Sequence, residues 1–168
     1  MWSCTSRRTR RPPRLLLEAT TLHLLTSAGA ALARAYDLAR PREACGFLLG
    51  EHRGRRIVAS EAVIAGASSS DCDGFEIPDQ ELRRVRAYAE DRGLRVVALF
   101  HSHPSGDGSL SAADLAALRH SAWPWVIVTR TCGTPALIVM CYALGDGRKM
   151  AVSMDIILSM VLVPGEST

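Results

Sequence analysis

Two histidines, His101 and His103, stand one residue apart at the end of the apolar run LRVVALF. Side chains alternate along a strand, so both imidazoles project from one face, about 6.5 to 7 Å apart along the backbone. Two neighbouring neutral imidazoles suit a zinc ion. Asp114 follows eleven residues after His103, across PSGDGSL, a stretch rich in Gly, Pro and Ser that can fold back and deliver a helix against the strand end. Its carboxylate would complete a His, His, Asp set and leave the fourth tetrahedral position to water, as in a catalytic rather than a structural zinc site. Ser111 precedes Asp114 by one helical turn, so its hydroxyl should lie on the same side and could donate to a developing oxyanion. A base is also required. Glu43, at the mouth of the apolar run CGFLLG, is the acid we choose for it; Glu51, in a polar turn, and Glu61, mid-strand, are also available.

Plainer readings exist for these residues. Ser111 and Asp114 could serve only as a helix cap with a charge favourable to the helix dipole. Cys45 would share the face of Glu43, yet a small buried core residue is the more economical reading. His23, His52 and His120 read as surface or internally satisfied residues, Met140, Cys141 and Tyr142 as core, and Trp123 and Trp125 as packing beneath the site. What outweighs the plain reading at the histidine pair is that the carboxylate and serine offsets match as well.

The constellation resembles the JAMM/MPN+ metalloproteases, whose motif is a glutamate, then far downstream H-[S/T]-H, seven residues, and S-x-x-D. Here it reads Glu43, His101-Ser102-His103, PSGDGSL, and Ser111-Ala112-Ala113-Asp114, with no departure at any motif position. The strings EACGFLLG and HSHPSG are similar to the prokaryotic branch. The resemblance implies a single α/β domain with a mixed, mostly antiparallel curved sheet flanked by helices, like that of cytidine deaminases. It implies a zinc-dependent peptidase or isopeptidase, with His101, His103 and Asp114 as ligands, Glu43 as general base and Ser111 steadying the tetrahedral intermediate. The implied substrate is the C-terminal tail of a ubiquitin-like or sulfur-carrier protein, laid along a sheet edge by strand addition; a homodimer is compatible with it. A non-catalytic scaffold of the same fold is the alternative, but such modules typically lack motif ligands and none is missing. A more remote resemblance, to H-x-H-P proteins associated with DNA repair, is disfavoured by charge.

The elements that must position these residues follow from periodicity. Leu15 to Thr20 is expected as a first strand and Leu22 to Ala39 as an amphipathic helix ended by Pro41. ACGFLLG, EHRGRR and IVASEAVIAG give strand, turn and strand; SSSDCDG over 68–74 is a loop. IPDQELRRVRAYAEDRG is a surface helix with Pro78 near its start and Gly93 past its end. LRVVALF, WVIVTR and PALIVMCYAL are buried strands, SAADLAALRHSA a helix, and an apolar stretch follows the turn GDGR. The order suggests one mixed sheet with helices packed on it.

A chain of 168 residues with 48% apolar and 22% charged composition is a single folded domain. We place it at 15–163, between a basic tail (1–14) and a short C-terminal tail (164–168). The formal charge is +3, but five arginines fall in the first fourteen residues, which leaves the rest near −2 and gives no expectation of nucleic-acid binding. Five cysteines without a C-x-x-C pair fit neither a disulfide framework nor a zinc knuckle, so a reducing cytoplasm is expected. No apolar run reaches the roughly 18 residues of a membrane span. RRTRRPPR, LLL and ALARA imitate a secretory leader, but Glu18, Thr20, Thr21 and His23 interrupt its apolar part, so export is not expected.

Overall fold

The computed structural model describes residues 21–65, 77–130, 136–144 and 151–158. The basic tail, the strand expected at 15–20, the 68–74 loop, the GDGR turn and the chain after residue 158 lie outside them. The first described element corrects the expected helix start. Thr21–Leu24 is a strand, β1, and the helix α1 begins only at Thr26, running to Ala39. Leu22 and Leu24 are buried while Thr21 and His23 are half-exposed, a period of two. The strand exists because it has partners on both sides: it pairs in parallel with β3 (Arg56–Ile64) and with β7 (Ala151–Leu158).

These pairings close the sheet. The strand order is β1-β3-β2-β4-β5-β6-β7, a closed barrel, with β2 at Cys45–Arg53, β4 at Arg95–Ser102, β5 at Trp125–Arg130 and β6 at Leu137–Leu144. Among the described residues four of the seven neighbouring pairs are antiparallel and three parallel, so the mixed, mostly antiparallel sheet is observed, with closure added. The strands β2 and β3 extend into the expected EHRGRR turn, which narrows to Gly54 and Arg55, Gly54 having φ +61°. Helix α2 (Asp79–Glu90) follows Pro78 as expected and buries only Val85 and Ala89, leaving its charges other than Glu81 exposed.

The central strands are buried on both faces, as their unbroken apolar runs require. Leu48 and Phe100 point into one core with Leu22, Leu32 and Tyr36 beneath α1. Phe47, Leu49 and Leu99 point into a second, with Val85 of α2 and Leu118 of helix α3 (Ala112–Leu118). Close packing leaves no room at Gly46, where a Cβ would strike the Val63 carbonyl and lie 2.7 Å from Phe100 Cε1. Gly29 of α1 differs: its nearest neighbour, Leu24 Cδ2, would be an ordinary 3.8 Å away. Gly46→Ala is therefore expected to lower stability by about 1–3 kcal/mol, and Gly29→Ala to raise it by up to about 1 kcal/mol. Urea unfolding midpoints of the two variants check both signs.

The connection that matters for function is β4, α3, β5. The two strands are parallel neighbours, so the chain must cross back, and α3 makes that crossing. The N-terminus of α3 consequently lies by the C-terminal end of β4, where open α/β units place their ligands. Among the described residues no helix is long and apolar enough to cross a membrane.

Candidate metal centre

His101 is the penultimate residue of β4, held between Cys45 of β2 and Ile127 of β5. It is 1% exposed. Its ring meets the edge of the Trp125 ring at 5.3 Å between centroids, so Trp125 does pack under the site. Trp123 instead donates through Nε1 to the Val96 carbonyl, at the other end of β4. Past the strand end His103 is tied to β5 by its N–H to the Val128 carbonyl, 2.9 Å. Both imidazoles turn the same nitrogen inward: the Nε2 atoms of His101 and His103 are 2.8 Å apart.

Asp114 meets them from α3. Its Oδ1 is 3.1 Å from His101 Nε2 and its Oδ2 is 3.3 Å from His103 Nε2. Ser111 is the N-cap of α3, and the two residues form a capping box. Ser111 Oγ accepts from the Asp114 N–H at 3.1 Å, and Asp114 Oδ2 accepts from the Ser111 N–H at 2.8 Å. Ser111 and Asp114 therefore do cap the helix, and the same cap explains how a carboxylate in a short helix is aimed at two histidines. Because Ser111 Oγ acts in the cap as an acceptor, its own proton is left for another partner.

Glu43 precedes β2. Ala44 donates its N–H to Ser102 Oγ at 2.8 Å, and Ser102 donates its own to the Ala44 carbonyl at 2.8 Å. Continuing the pairing of Cys45 with His101 brings Glu43 level with His103. Its charge is felt there, contributing to the raised pKa of His103 and to that of Cys45. Ser102, the Ser/Thr position of the motif, thus ties the residue after Glu43 to the strand that carries His101, a contact that spacing alone does not reveal.

The electrostatics follow from burial and from Asp114. Burial opposes charge on Asp114, but hydrogen bonds from His101, His103 and Ser111 prevail and hold its carboxyl well below the usual range. Burial lowers the pKa of His101 against the pull of Asp114, whereas the hydrogen bond to Asp114 raises that of half-buried His103. Burial, then the charges of Glu43 and Glu81, push the Cys45 thiol up to about 12, which keeps it a neutral core group.

Three groups rich in lone pairs converging on one point call for a cation among them. The ligand atoms of His101, His103 and Asp114 lie within 4.8 Å of one another, the set able to hold a metal ion among the described residues. Ligands at 2.0–2.1 Å in a tetrahedron are separated by roughly 3.3 Å. The separations of 2.8 Å between the two Nε2 atoms, 3.1 Å from His101 Nε2 to Asp114 Oδ1 and 3.3 Å from His103 Nε2 to Asp114 Oδ2 are close to that spacing. The donor set fits.

Residues 25–142 match the family of prokaryotic homologs of the JAB domain. The chain belongs to this prokaryotic JAB family. The JAB domain is also 29% identical to the desampylase of Haloferax volcanii over 84 residues, half of this chain and 58% of that protein. Among solved structures it is similar to protein DSY2949 of Desulfitobacterium hafniense, with a TM-score of 0.74 and 18% identity over 84% of this chain and 95% of that one. A Salinibacter ruber protein superposes with a TM-score of 0.58 and 28% identity, over 81% and 90% of the two chains.

In this JAB domain the loop from His103 to Ser111 is fastened from below by hydroxyls that sequence reading assigned to the core or passed over. Thr129 Oγ1 of β5, fully buried, lies 2.7 Å from the His103 carbonyl and 2.9 Å from that of Gly106. Tyr142 donates to the Gly108 carbonyl at 3.1 Å, and Tyr36 to that of Pro104 at 3.3 Å. Gly108 has φ +88° and sits against Met140 and Thr129, where a side chain would be strained. Thr129→Val keeps the volume and removes the donor, so it is expected to cost about 1–3 kcal/mol. Thr129→Ser is expected to restore most of it, both read from denaturant unfolding.

Proposed function

We propose that this JAB domain is a zinc-dependent metallopeptidase or isopeptidase. Its bond would be the peptide or isopeptide bond at the C-terminal tail of a ubiquitin-like or sulfur-carrier protein, cleaved in the cytoplasm. The observation that carries the reading is the meeting of two Nε2 atoms with the Asp114 carboxylate, at 2.8 to 3.3 Å, beside Glu43. The similarity to a desampylase supports the substrate class. His101, His103 and Asp114 would hold the ion. Zinc in such a set supplies Lewis acidity and brings the pKa of water toward neutrality.

The chain's own residues supply the rest. Glu43 takes the proton of the attacking water and passes it to the leaving amine, so no covalent enzyme intermediate is needed. Ser111, whose oxygen accepts the Asp114 N–H, turns its proton toward the oxyanion. The test is a purified preparation assayed against ubiquitin-like and sulfur-carrier proteins carrying a C-terminal extension. Cleavage that stops on chelation and returns with zinc supports the reading; cleavage indifferent to chelation refutes it.

A further inference from the structure

His103 lies one residue beyond the end of β4, yet both of its main-chain polar groups are held by β5. Its N–H donates to the Val128 carbonyl at 2.9 Å, and its carbonyl lies 2.7 Å from Thr129 Oγ1. The pairing of β4 with β5 runs out at Ser102 and Val128, so Thr129, the next residue, carries the attachment on with a side-chain hydroxyl. That hydroxyl belongs to a fully buried residue, where no water competes for it.

A fixed main chain still leaves the imidazole free to turn about its side-chain bonds. Gly106 limits that freedom. A Cβ there would lie 2.9 Å from His103 Cβ and 3.3 Å from His103 Nδ1, so the chain at 106 runs against the Nδ1 edge of the ring and leaves Nε2 to face His101 and Asp114. Gly106 is kept there by the same hydroxyl, its carbonyl 2.9 Å from Thr129 Oγ1. The threonine methyl lies under the next turn of the loop, 3.4 Å from where a Cβ of Gly108 would stand. One buried side chain thus holds the loop at the main chain of His103 and at the glycine packed on its ring. The other two converging groups are fixed by other means: His101 by the sheet, Asp114 by its capping box.

We propose that Thr129 is a positioning residue of the metal centre: by tying the carbonyls of His103 and Gly106 it sets where His103 Nε2 stands, and with it how tightly an ion is held. The proposal rests on His101, His103 and Asp114 being the ligands. Groups that orient metal ligands without touching the ion contribute about 10- to 100-fold in affinity. Thr129→Val keeps the methyl under Gly108 and removes the proton that holds the two carbonyls, whereas Thr129→Ser keeps the proton and loses the methyl. Trp123→Phe removes a side-chain to carbonyl hydrogen bond at the other end of β4, 3.0 Å to Val96, and so reports on destabilisation alone.

The test is the dissociation constant for zinc, measured on the full chain stripped on a chelating resin and titrated in competition with a chromophoric zinc chelator, where circular dichroism shows each variant folded. Thr129→Val should weaken zinc by about 10- to 100-fold, Thr129→Ser should stay within about threefold of the native chain because its hydroxyl remains, and Trp123→Phe should bind as the native chain does. Gly106→Ala keeps the threonine ties but presses a methyl on the His103 side chain, and should weaken zinc by about tenfold or more. Gly106 is exposed and its backbone lies outside the left-handed region, so that variant decides the matter even if Thr129→Val folds poorly. Thr129→Val or Gly106→Ala binding like the native chain, Thr129→Ser as weak as Thr129→Val, or Trp123→Phe losing as much as Thr129→Val would overturn the proposal. A native chain that takes up no zinc defeats the metal reading and this proposal with it, whereas zinc held equally by the native chain and Thr129→Val defeats this proposal alone.

Discussion

Glu43→Gln is expected to lower kcat by about 10²- to 10⁴-fold, the usual contribution of a general base, with metal content and fold unchanged. The amide keeps the shape and hydrogen-bonding reach of the carboxylate but cannot accept the proton. Glu43 is half-exposed at the entrance of β2 and not among the three converging ligand groups, so losing its charge leaves the ion's ligands in place. Metal analysis and turnover on the same preparation separate the two roles. Full activity in Glu43→Gln would move the base elsewhere; loss of metal along with activity would make Glu43 a ligand.

His101→Ala is expected to do the opposite, removing bound metal and with it all measurable turnover. A catalytic zinc is held by three protein ligands, and two donors on a loop and a short helix do not replace the one fixed inside the sheet. His101 is that fixed donor, flanked by β2 and β5 and backed by Trp125. The Ala variant also leaves Asp114 facing one imidazole instead of two. Stoichiometric zinc retained in His101→Ala would exclude this residue from the ligand set.

The pair of predictions separates an enzyme from a scaffold of the same fold. A scaffold would tolerate Glu43→Gln without functional change, because partner binding asks nothing of a proton acceptor. An enzyme would not.

The site was legible in the sequence to an unusual degree, because its parts are local. His101 and His103 are two residues apart across the end of one strand, and Ser111 and Asp114 are one turn apart at a helix start, so spacing alone put each pair on one side. Glu43 was found through the residues following it, and the strand pairing set it beside His103. What spacing could not reveal is non-local. Leu22, Leu25 and Ala28 satisfy a helical period, yet Leu22 belongs to a strand, because β3 and β7 offer it backbone partners. The closure of the sheet depends on those same two pairings. Thr129 and Tyr142 sit in apolar runs that read as core, and their hydroxyls acquire a purpose only when the loop from His103 folds over them. His52, in a polar turn by sequence, is carried under cover where β2 runs on past the irregularity at Leu49 and Gly50.

The most direct measurement is a diffraction map of the zinc-loaded protein, with anomalous data on either side of the zinc edge. A single peak bound by Nε2 of His101, Nε2 of His103 and an oxygen of Asp114, with the Glu43 carboxylate facing the fourth position, is the predicted result. A peak seated elsewhere, or zinc-soaked crystals in which Asp114 still bridges the two imidazoles and no peak stands among them, would contradict it.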